Sequence, residues 1–457
     1  MTSTTPTPAD LQVEQKINSS LEDLRRLCAQ PSVAAQGQGL DECAELVARM
    51  LQERGFETQI MPVPAAPPAV YAFRKGASDR TLIFYNHYDV QPAEPLELWE
   101  TPPFEPTIRD GRLYARGVVD DKGHIACRLA AIDALLAAGG ELPCNVKFLI
   151  EGGEEIGSPG LPTFVRENRE LLAADACIWE FGGVNFEGRP FVVLGMRGIC
   201  YVELRVRTAS LDAHSGLGGS IFPNAAWRLV WALSSLKGTD ERIRIPGYYD
   251  SVRPPSPRDL QLLAALPNEE DDLKRTYGLD GFLNGMTGTE LRRAAVFEPT
   301  CTICGLTSGY QQEGSKTVLP AYASAKIDFR LVPDQTAEEV VSKLRRHLDE
   351  HGFEDIEIVL LGGENPAKVD PDDPFILLTI QAAEEVYGAP PVVSPMSGGS
   401  GPIHPFVEYL GVPVSNSGIG YPGAQVHAPN EHVRIADFIS GAKHTARVLQ
   451  RFGAMEG

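Results

Sequence analysis

The sequence predicts an α/β protein: a mixed, mostly parallel sheet covered by helices, with a separate α+β domain inserted into it. Three observations lead there. Strand-like runs such as Thr81-Leu-Ile-Phe-Tyr85, Asn145-Val-Lys-Phe-Leu-Ile150 and Ala176-Cys-Ile-Trp-Glu180 alternate with helical segments, and strands that alternate with helices form parallel sheets buried on both faces. At about Gly198 the texture changes to period-two alternation in Cys200-Tyr-Val-Glu-Leu-Arg-Val-Arg207, the pattern of a half-exposed antiparallel strand. Beyond a linker the Gly-rich, β-rich texture resumes. The expected division is therefore 1–197 and 368–457 for one domain in two parts, with 198–367 inserted between them.

Bulk properties agree and narrow the function. A chain of 457 residues is long enough for two domains of ordinary size. Its 43% hydrophobic and 22% charged residues are those of a soluble globular protein. A net charge of −20 argues against nucleic acid as a partner, since no basic patch is available to release counterions. It also disfavours anionic membrane surfaces. No apolar run approaches the ~20 residues of a membrane span. Met1 to Pro8 has neither a basic n-region nor an apolar core, so no signal peptide is expected. Eight scattered cysteines form no disulfide framework, which points to the cytoplasm. Cys301-Thr-Ile-Cys304 is a lone CxxC in strand-like surroundings, expected to be two ordinary buried cysteines.

In chain order, residues 1–10 are Thr/Pro-rich and expected to be disordered. Leu11 to Ala29 has helical spacing of apolar positions, and Gly39 to Arg54 gives a second helix closed by Gly55. Thr58-Gln-Ile-Met-Pro-Val63 reads as an edge strand, where Pro62 is tolerated. Strands come next at Ala69 to Phe73 and Thr81 to Tyr85, then a hairpin over Thr107 to Tyr114 turning at Asp110-Gly111. An Ala/Leu-rich helix runs from His124 to Ala138. In the inserted domain, strand, helix (Asn224 to Leu236), two strands (Thr300 to Leu306, Ser324 to Leu331), helix (Ala337 to His351) and strand (Ile356 to Leu361) make a βαββαβ set. Gly238 to Pro299 reads as a polar, irregular insertion and Gly362 to Asp373 as a linker. Helices at Phe375 to Tyr387 and from Ala436 complete the chain.

Chemistry concentrates just past the predicted strands. Glu151-Gly-Gly-Glu-Glu155 places three carboxylates within five positions after a buried strand, and such charges repel unless something positive lies among them. Two adjacent carboxylates there suit a metal-assisted hydrolase, one as ligand and one as general base. His87 and Asp89 end another strand and share a face in extended chain, so Asp89 can back the His87 imidazole. Glu180 ends a third strand. Asp120 and Asp121 begin a helix, where one carboxylate also suits an N-cap. His427 lies in a Gly/Pro loop. His87, Asp120, Glu154, Glu155, Glu180 and His427 thus form a two-histidine, four-carboxylate set. Imidazole and carboxylate suit zinc, and also manganese or cobalt. A carboxylate bridging two cations builds a two-metal site about 3.5–4 Å across.

Read in order, NHYDVQP, GRLYARGVVDDKGH, EGGEEIGSPG, DAHSG, FRLVPD and HAPNEH resemble the dinuclear-zinc metallopeptidase family of carboxypeptidase G, aminoacylase-1, the desuccinylases and the carnosinase-type dipeptidases. The similarity covers the chain from about residue 12 and is strongest to the dipeptidase branch, through Asp89-Val-Gln-Pro92 and Leu98-Trp-Glu100. It implies a zinc exopeptidase-like catalytic domain and a ferredoxin-like lid through which the protein forms a homodimer. His87 and Glu180 would hold one metal, Glu155 and His427 the other, with Asp120 bridging and Glu154 as general base. A cis peptide would come after Asp120. His214 would reach the partner's active site, Arg330 would grip the substrate carboxylate, and Thr317, Gly399 and Ser400 would line the substrate terminus. His124 and His404 have no counterpart and no expected role. The implied activity is hydrolysis of a small amide, as a dipeptidase or short-peptide carboxypeptidase. Glu180, where many dipeptidases carry Asp, keeps an N-acyl-amino-acid deacylase open. A non-catalytic binding homologue would lack a ligand or the base, and none is missing. No GxGxxG comes after the first strand to suggest a dinucleotide.

Overall fold

The computed structural model describes residues 6–455, which fall into two compact units. The first runs to Leu194 and takes in Val369–Pro395 and the chain from Pro402 on; the second comprises Gly195–Lys368 and Met396–Gly401. The short loop of Met396–Gly401 thus packs with the second unit, although its flanking segments belong to the first.

The first unit is built on a six-stranded sheet, ordered Glu57–Val63, Ala66–Arg74, Cys144–Glu151, Ser78–His87, Ala176–Trp179, Val414–Asn416. The last four strands run parallel, while Ala66–Arg74 pairs antiparallel with both neighbours, so the sheet is mixed and mostly parallel as expected. Leu82, Ile83, Phe84 and Tyr85 are fully buried, as are Phe148, Leu149 and Ile150, because helices cover both faces of the sheet. The helix Lys122–Gly139 is apolar nearly all round and buried. A Cβ at Gly123 would lie 1.9 Å from the Val118 carbonyl oxygen, so only glycine lets that helix begin so close to its preceding turn.

Local signals account for the remaining details. At the sheet edge, pairing of Glu57–Val63 slips at Pro62, which has no N–H to give. The hairpin Thr107–Arg109 and Arg112–Tyr114 turns through Asp110 and Gly111, both at positive φ (49° and 71°). The N-terminal expectation is corrected. Residues 8–10 are helical rather than disordered, since Thr7 and Asp10 cap each other's amides at 3.2 and 2.7 Å; residues 1–5 lie outside the described part. The single helix expected over 11–29 is two, Pro8–Gln15 and Ile17–Ala29, broken at Lys16.

In the second unit an antiparallel sheet ordered Thr302–Ser308, Tyr322–Leu331, Gly198–Arg207, Glu357–Glu364 carries the helices Ala225–Leu236 and Ala337–Glu350. Val202, Leu204, Ile327 and Phe329 pack with Leu229, Leu236, Val340 and Leu344 to form its core. The segment expected to be irregular contains the helices Pro257–Ala265, Glu270–Tyr277 and Gly288–Phe297. Its Ser256/Asp259 capping box was the available signal, but short polar helices bury too little apolar surface to show a clear period. The expected linker is also corrected. The strand reaches Glu364 and Ala367–Lys368 pairs with Gly195–Met196, because backbone pairing at Gly362 and Gly363 needs no side chain. Cys301 is buried, but Cys304 is exposed on the edge strand. Among the described residues, no helix is long and apolar enough to cross a membrane.

Candidate metal centre

Parallel neighbours bring their C-terminal ends to one edge of the first unit's sheet, where open α/β sheets place their ligands. His87 ends Ser78–His87 and is in register with Glu151 on the next strand. Glu154 and Glu155 come next in a single 3₁₀ turn, and Glu180 lies directly after Ala176–Trp179. Asp120 lies in the turn before the helix Lys122–Gly139, and its peptide bond to Asp121 is cis. His427 adopts φ +61°, a left-handed conformation that few residues other than glycine enter.

These side chains converge on Asp120. Its Oδ1 lies 3.0 Å from His87 Nε2, and its Oδ2 lies 2.8 Å from His427 Nε2. His427 Nε2 is also 3.3 Å from Glu155 Oε2. On the other side His87 Nε2 stands 4.0 Å from Glu154 Oε2 and 3.9 Å from Glu180 Oε2. Asp120, Glu155 and His427 each offer a ligand atom, all within 4.8 Å of one another. One carboxylate therefore faces an imidazole with each of its two oxygens, with two further carboxylates beside His87 and one beside His427.

Electrostatics shows what the cluster is suited to bind. Burial, reinforced by Asp120 and Glu155 against the opposing His87, pushes the Glu154 carboxyl up to about 8. Burial and then Glu154 raise Glu180 well above the usual range. At Asp120 burial opposes ionisation, yet hydrogen bonds from His427 and His87 hold it well below the usual range. The His427 ring is raised to about 10, first by its bond to Asp120 and then by Glu155. Glu155 Oε1 and Glu180 Oε2 are buried without a hydrogen-bond partner. Crowded carboxylates, buried oxygens left unmatched and two imidazoles fit divalent cations.

Other buried groups hold these residues in place. Asp89, expected to back the His87 ring, does so with two oxygens: His87 Nδ1 lies 3.0 Å from the Asp89 carbonyl oxygen and 3.3 Å from its Oδ1. The Asp89 carboxylate also accepts the backbone N–H groups of Glu154 and Glu155, at 3.2 and 3.0 Å. Gln91 Nε2 donates to Glu155 Oε2 at 2.8 Å. Asp121 is at the N-cap position but makes no cap bond. Its Oδ2 accepts from Asn86 Nδ2 at 2.6 Å and from the His87 amide at 3.2 Å, and its Oδ1 lies 2.9 Å from His124 Nδ1.

His124, expected to have no role, is buried, with Nδ1 2.8 Å from the Val119 carbonyl and Nε2 accepting the Ile419 N–H at 3.2 Å. Arg128 Nη2 donates to the carbonyls of Trp179, Glu180 and Ser417 at 2.9 to 3.1 Å. An arginine within the apolar run Ile125 to Ile132 of this helix was the signal for Arg128. Glu431, four residues after His427 in the same motif, binds Arg116 and the Asp120 turn.

The remaining expected site residues lie in the second unit. His214 is exposed on Ala213–His214, its Nδ1 accepting the Gly216 N–H at 3.0 Å. Thr317 is exposed nearby, its carbonyl accepting the Ser215 N–H at 3.1 Å. Arg330 and Ser400 meet, Nη1 to Oγ at 2.9 Å, while Arg330 Nε donates to Asp328 Oδ2 at 3.1 Å. The Gly399 carbonyl accepts the Arg197 N–H at 3.1 Å. His404, in the first unit, packs edge-on against Tyr409.

Comparison with known proteins identifies the relatives of this arrangement. Human Beta-Ala-His dipeptidase is 28% identical over 84% of this chain and 77% of its own. The Cys-Gly metallodipeptidase DUG1 of Saccharomyces cerevisiae is 28% identical over 90% of this chain and 89% of its own. Among solved structures, the M20 family metallo-carboxypeptidase Sso-CP2 from Sulfolobus solfataricus superposes with a TM-score of 0.90 at 36% identity, covering 95% of this chain and 99% of that one. The sequence profile of Peptidase family M20/M25/M40 matches residues 83–451, so the chain belongs to that peptidase family.

Proposed function

We propose that the protein is a metal-dependent dipeptidase or short-peptide carboxypeptidase. The observation that carries this reading is Asp120, whose two oxygens face His87 and His427 beside Glu154, in a chain similar to proteins named as dipeptidases and to a metallo-carboxypeptidase. His87 and Glu180 would hold one divalent cation, Glu155 and His427 the second, and Asp120 would bridge them. Zinc suits the donor set best, with manganese or cobalt as substitutes. When bound, such cations polarise a carbonyl and acidify water.

Glu154 takes the proton of the attacking water and returns it to the leaving amine. Asp89 keeps the His87 ring and the 154–155 turn in place. Arg330, with its planar fork beside Ser400, binds the free carboxylate of the substrate, and Thr317 and Gly399 line its terminus. The domain comprising residues 198–367 acts as lid and dimerisation domain, and His214 is supplied to the active site of the partner subunit as an oxyanion donor. The apolar surface of the second unit supports a homodimer. Trp227 and Trp231 stack at 5.9 Å while remaining 56% and 55% exposed, and Leu217 and Ile221 are exposed too. The acidic charge, reduced cysteines and lack of a spanning helix among the described residues accord with a cytoplasmic enzyme.

The test is hydrolysis of dipeptides, short peptides and N-acyl amino acids by metal-stripped protein with and without added Zn²⁺ or Mn²⁺, beside Glu154→Ala. Metal-restored peptide cleavage that disappears in the variant supports the reading. Cleavage of N-acyl amino acids instead moves the substrate class, and metal binding without turnover on any substrate overturns it.

A further inference from the structure

Two buried carboxylates outside the expected ligand set each grip backbone amides of a loop that carries expected ligands. Asp89 holds the 154–155 turn, and Glu431 holds the 117–120 turn. Glu431 is 1% exposed, and both its oxygens are used. Oε2 accepts from Arg116 Nη1 at 2.7 Å and from the Gly117 N–H at 3.0 Å. Oε1 accepts the N–H groups of Val119 at 2.9 Å and of Asp120 itself at 3.2 Å. The Ala115 amide donates to the Glu431 carbonyl at 3.2 Å, extending the contact along the backbone.

We propose that Glu431 is a positioning residue that ties the Asp120 turn to the His427 loop and thereby sets the geometry of the paired cation sites. The inference rests on the metal-centre reading above. Glu431 is 311 residues from Asp120 but only four from His427, so one side chain fixes two groups that no local structure could hold in register. Three amides of one turn converge on it, with Gly117 at φ +79° shaping the turn around the carboxylate. Arg116, itself 1% exposed, supplies the compensating charge and spends its other amino group on the Pro92 carbonyl at 3.2 Å. Were the pair only a link between segments, the guanidinium would suffice. Three of the four donors instead belong to the turn that presents Asp120.

The test uses the full chain and Mn²⁺ as probe. Metal-free protein is titrated with Mn²⁺ by calorimetry and electron paramagnetic resonance, for the wild type, Glu431→Gln, and the double variant Arg116→Met/Glu431→Gln. The double variant strands no buried charge, so it keeps the test open if the single variant fails to fold. The expected result is a roughly 10- to 100-fold weaker second Mn²⁺ and loss of the exchange-coupled signal of a bridged pair, with the first Mn²⁺ retained. A purely structural role would lower the melting temperature without changing that spectrum. Folded variants that bind both ions as the wild type does, with the coupled signal intact, overturn the proposal.

Hydrogen exchange on the metal-free wild type needs no variant. The amides of Gly117, Val119 and Asp120 should exchange slowly before any metal is added; fast exchange, slowed only by Mn²⁺, overturns the proposal as well. A wild type that binds no pair of Mn²⁺ ions would instead count against the metal-centre reading, while the exchange measurement still decides whether Glu431 holds the turn.

Discussion

Asp89 Oδ2 accepts the Glu155 backbone N–H at 3.0 Å, so the residue just past one strand's terminal histidine also fixes the loop after the neighbouring strand. Its other oxygen takes the Glu154 N–H, leaving no face of the carboxylate that could be an N–H donor without conflict. Asp89→Asn must turn an amide donor toward one of those N–H groups or toward the His87 ring. Metal affinity should fall by about 10- to 100-fold, as is usual for groups supporting ligands. Calorimetric titration with Zn²⁺ checks this, and unchanged affinity would mean the loop is held without Asp89.

Metal binding should release protons. With the His427 ring raised to about 10 and the Glu154 carboxyl to about 8, both groups are protonated at neutral pH in the metal-free protein. A histidine ligand must be neutral, so the ring gives up its proton on binding. Affinity should therefore climb as pH rises from about 6 to 9. The apparent binding enthalpy should shift between buffers of different ionisation heat. Identical enthalpies in all buffers would contradict the prediction.

Acid stability offers a test away from the site. His444 is fully buried between Ser417 and the Thr379 carbonyl, and burial, aided by Arg447, pushes its pKa down to about 4 from 6.5. The ring stays neutral in the fold, whereas in the unfolded chain it gains a proton below about 6.5. The unfolded state therefore binds the extra proton between those values, and stability falls as pH drops through that window, by about 3 kcal/mol in full. In His444→Gln, denaturant unfolding should lose about one proton's worth of pH slope over the same range.

Arg128 is fully buried and satisfies carbonyls of three segments, including that of Glu180. Arg128→Met removes the guanidinium donor from those buried carbonyls, and a buried acceptor that loses its donor costs about 1–3 kcal/mol. The melting temperature should drop, and metal binding that depends on Glu180 should weaken with it. A variant of unchanged stability would show that other donors replace the guanidinium.

The strands read at Thr81 to Tyr85, Asn145 to Ile150 and Ala176 to Glu180 are present, the first two reaching His87 and Glu151 and the third ending at Trp179, because a parallel strand buried on both faces must be written as a continuous apolar run. The residues at or just beyond the strand ends, His87, Glu154, Glu155 and Glu180, then fall on one sheet edge by topology alone. The inserted βαββαβ set was readable for a similar reason, its period-two strands alternating inward and outward residues. Less was legible where local pattern is silent. The short polar helices between 257 and 297 bury little, and the strand through Gly362 and Gly363 pairs by backbone only.

Asp89 was readable beside His87, but the long-range partners of the other supporting residues lay beyond the sequence. Arg116 meets Glu431 across 315 positions and Arg128 meets Ser417 across 289. Local spacing specifies an element and the direction its side chains take. Which buried donor satisfies which buried acceptor depends on segments that only the folded sheet and helices bring together, so that part of the site was decided by the tertiary structure.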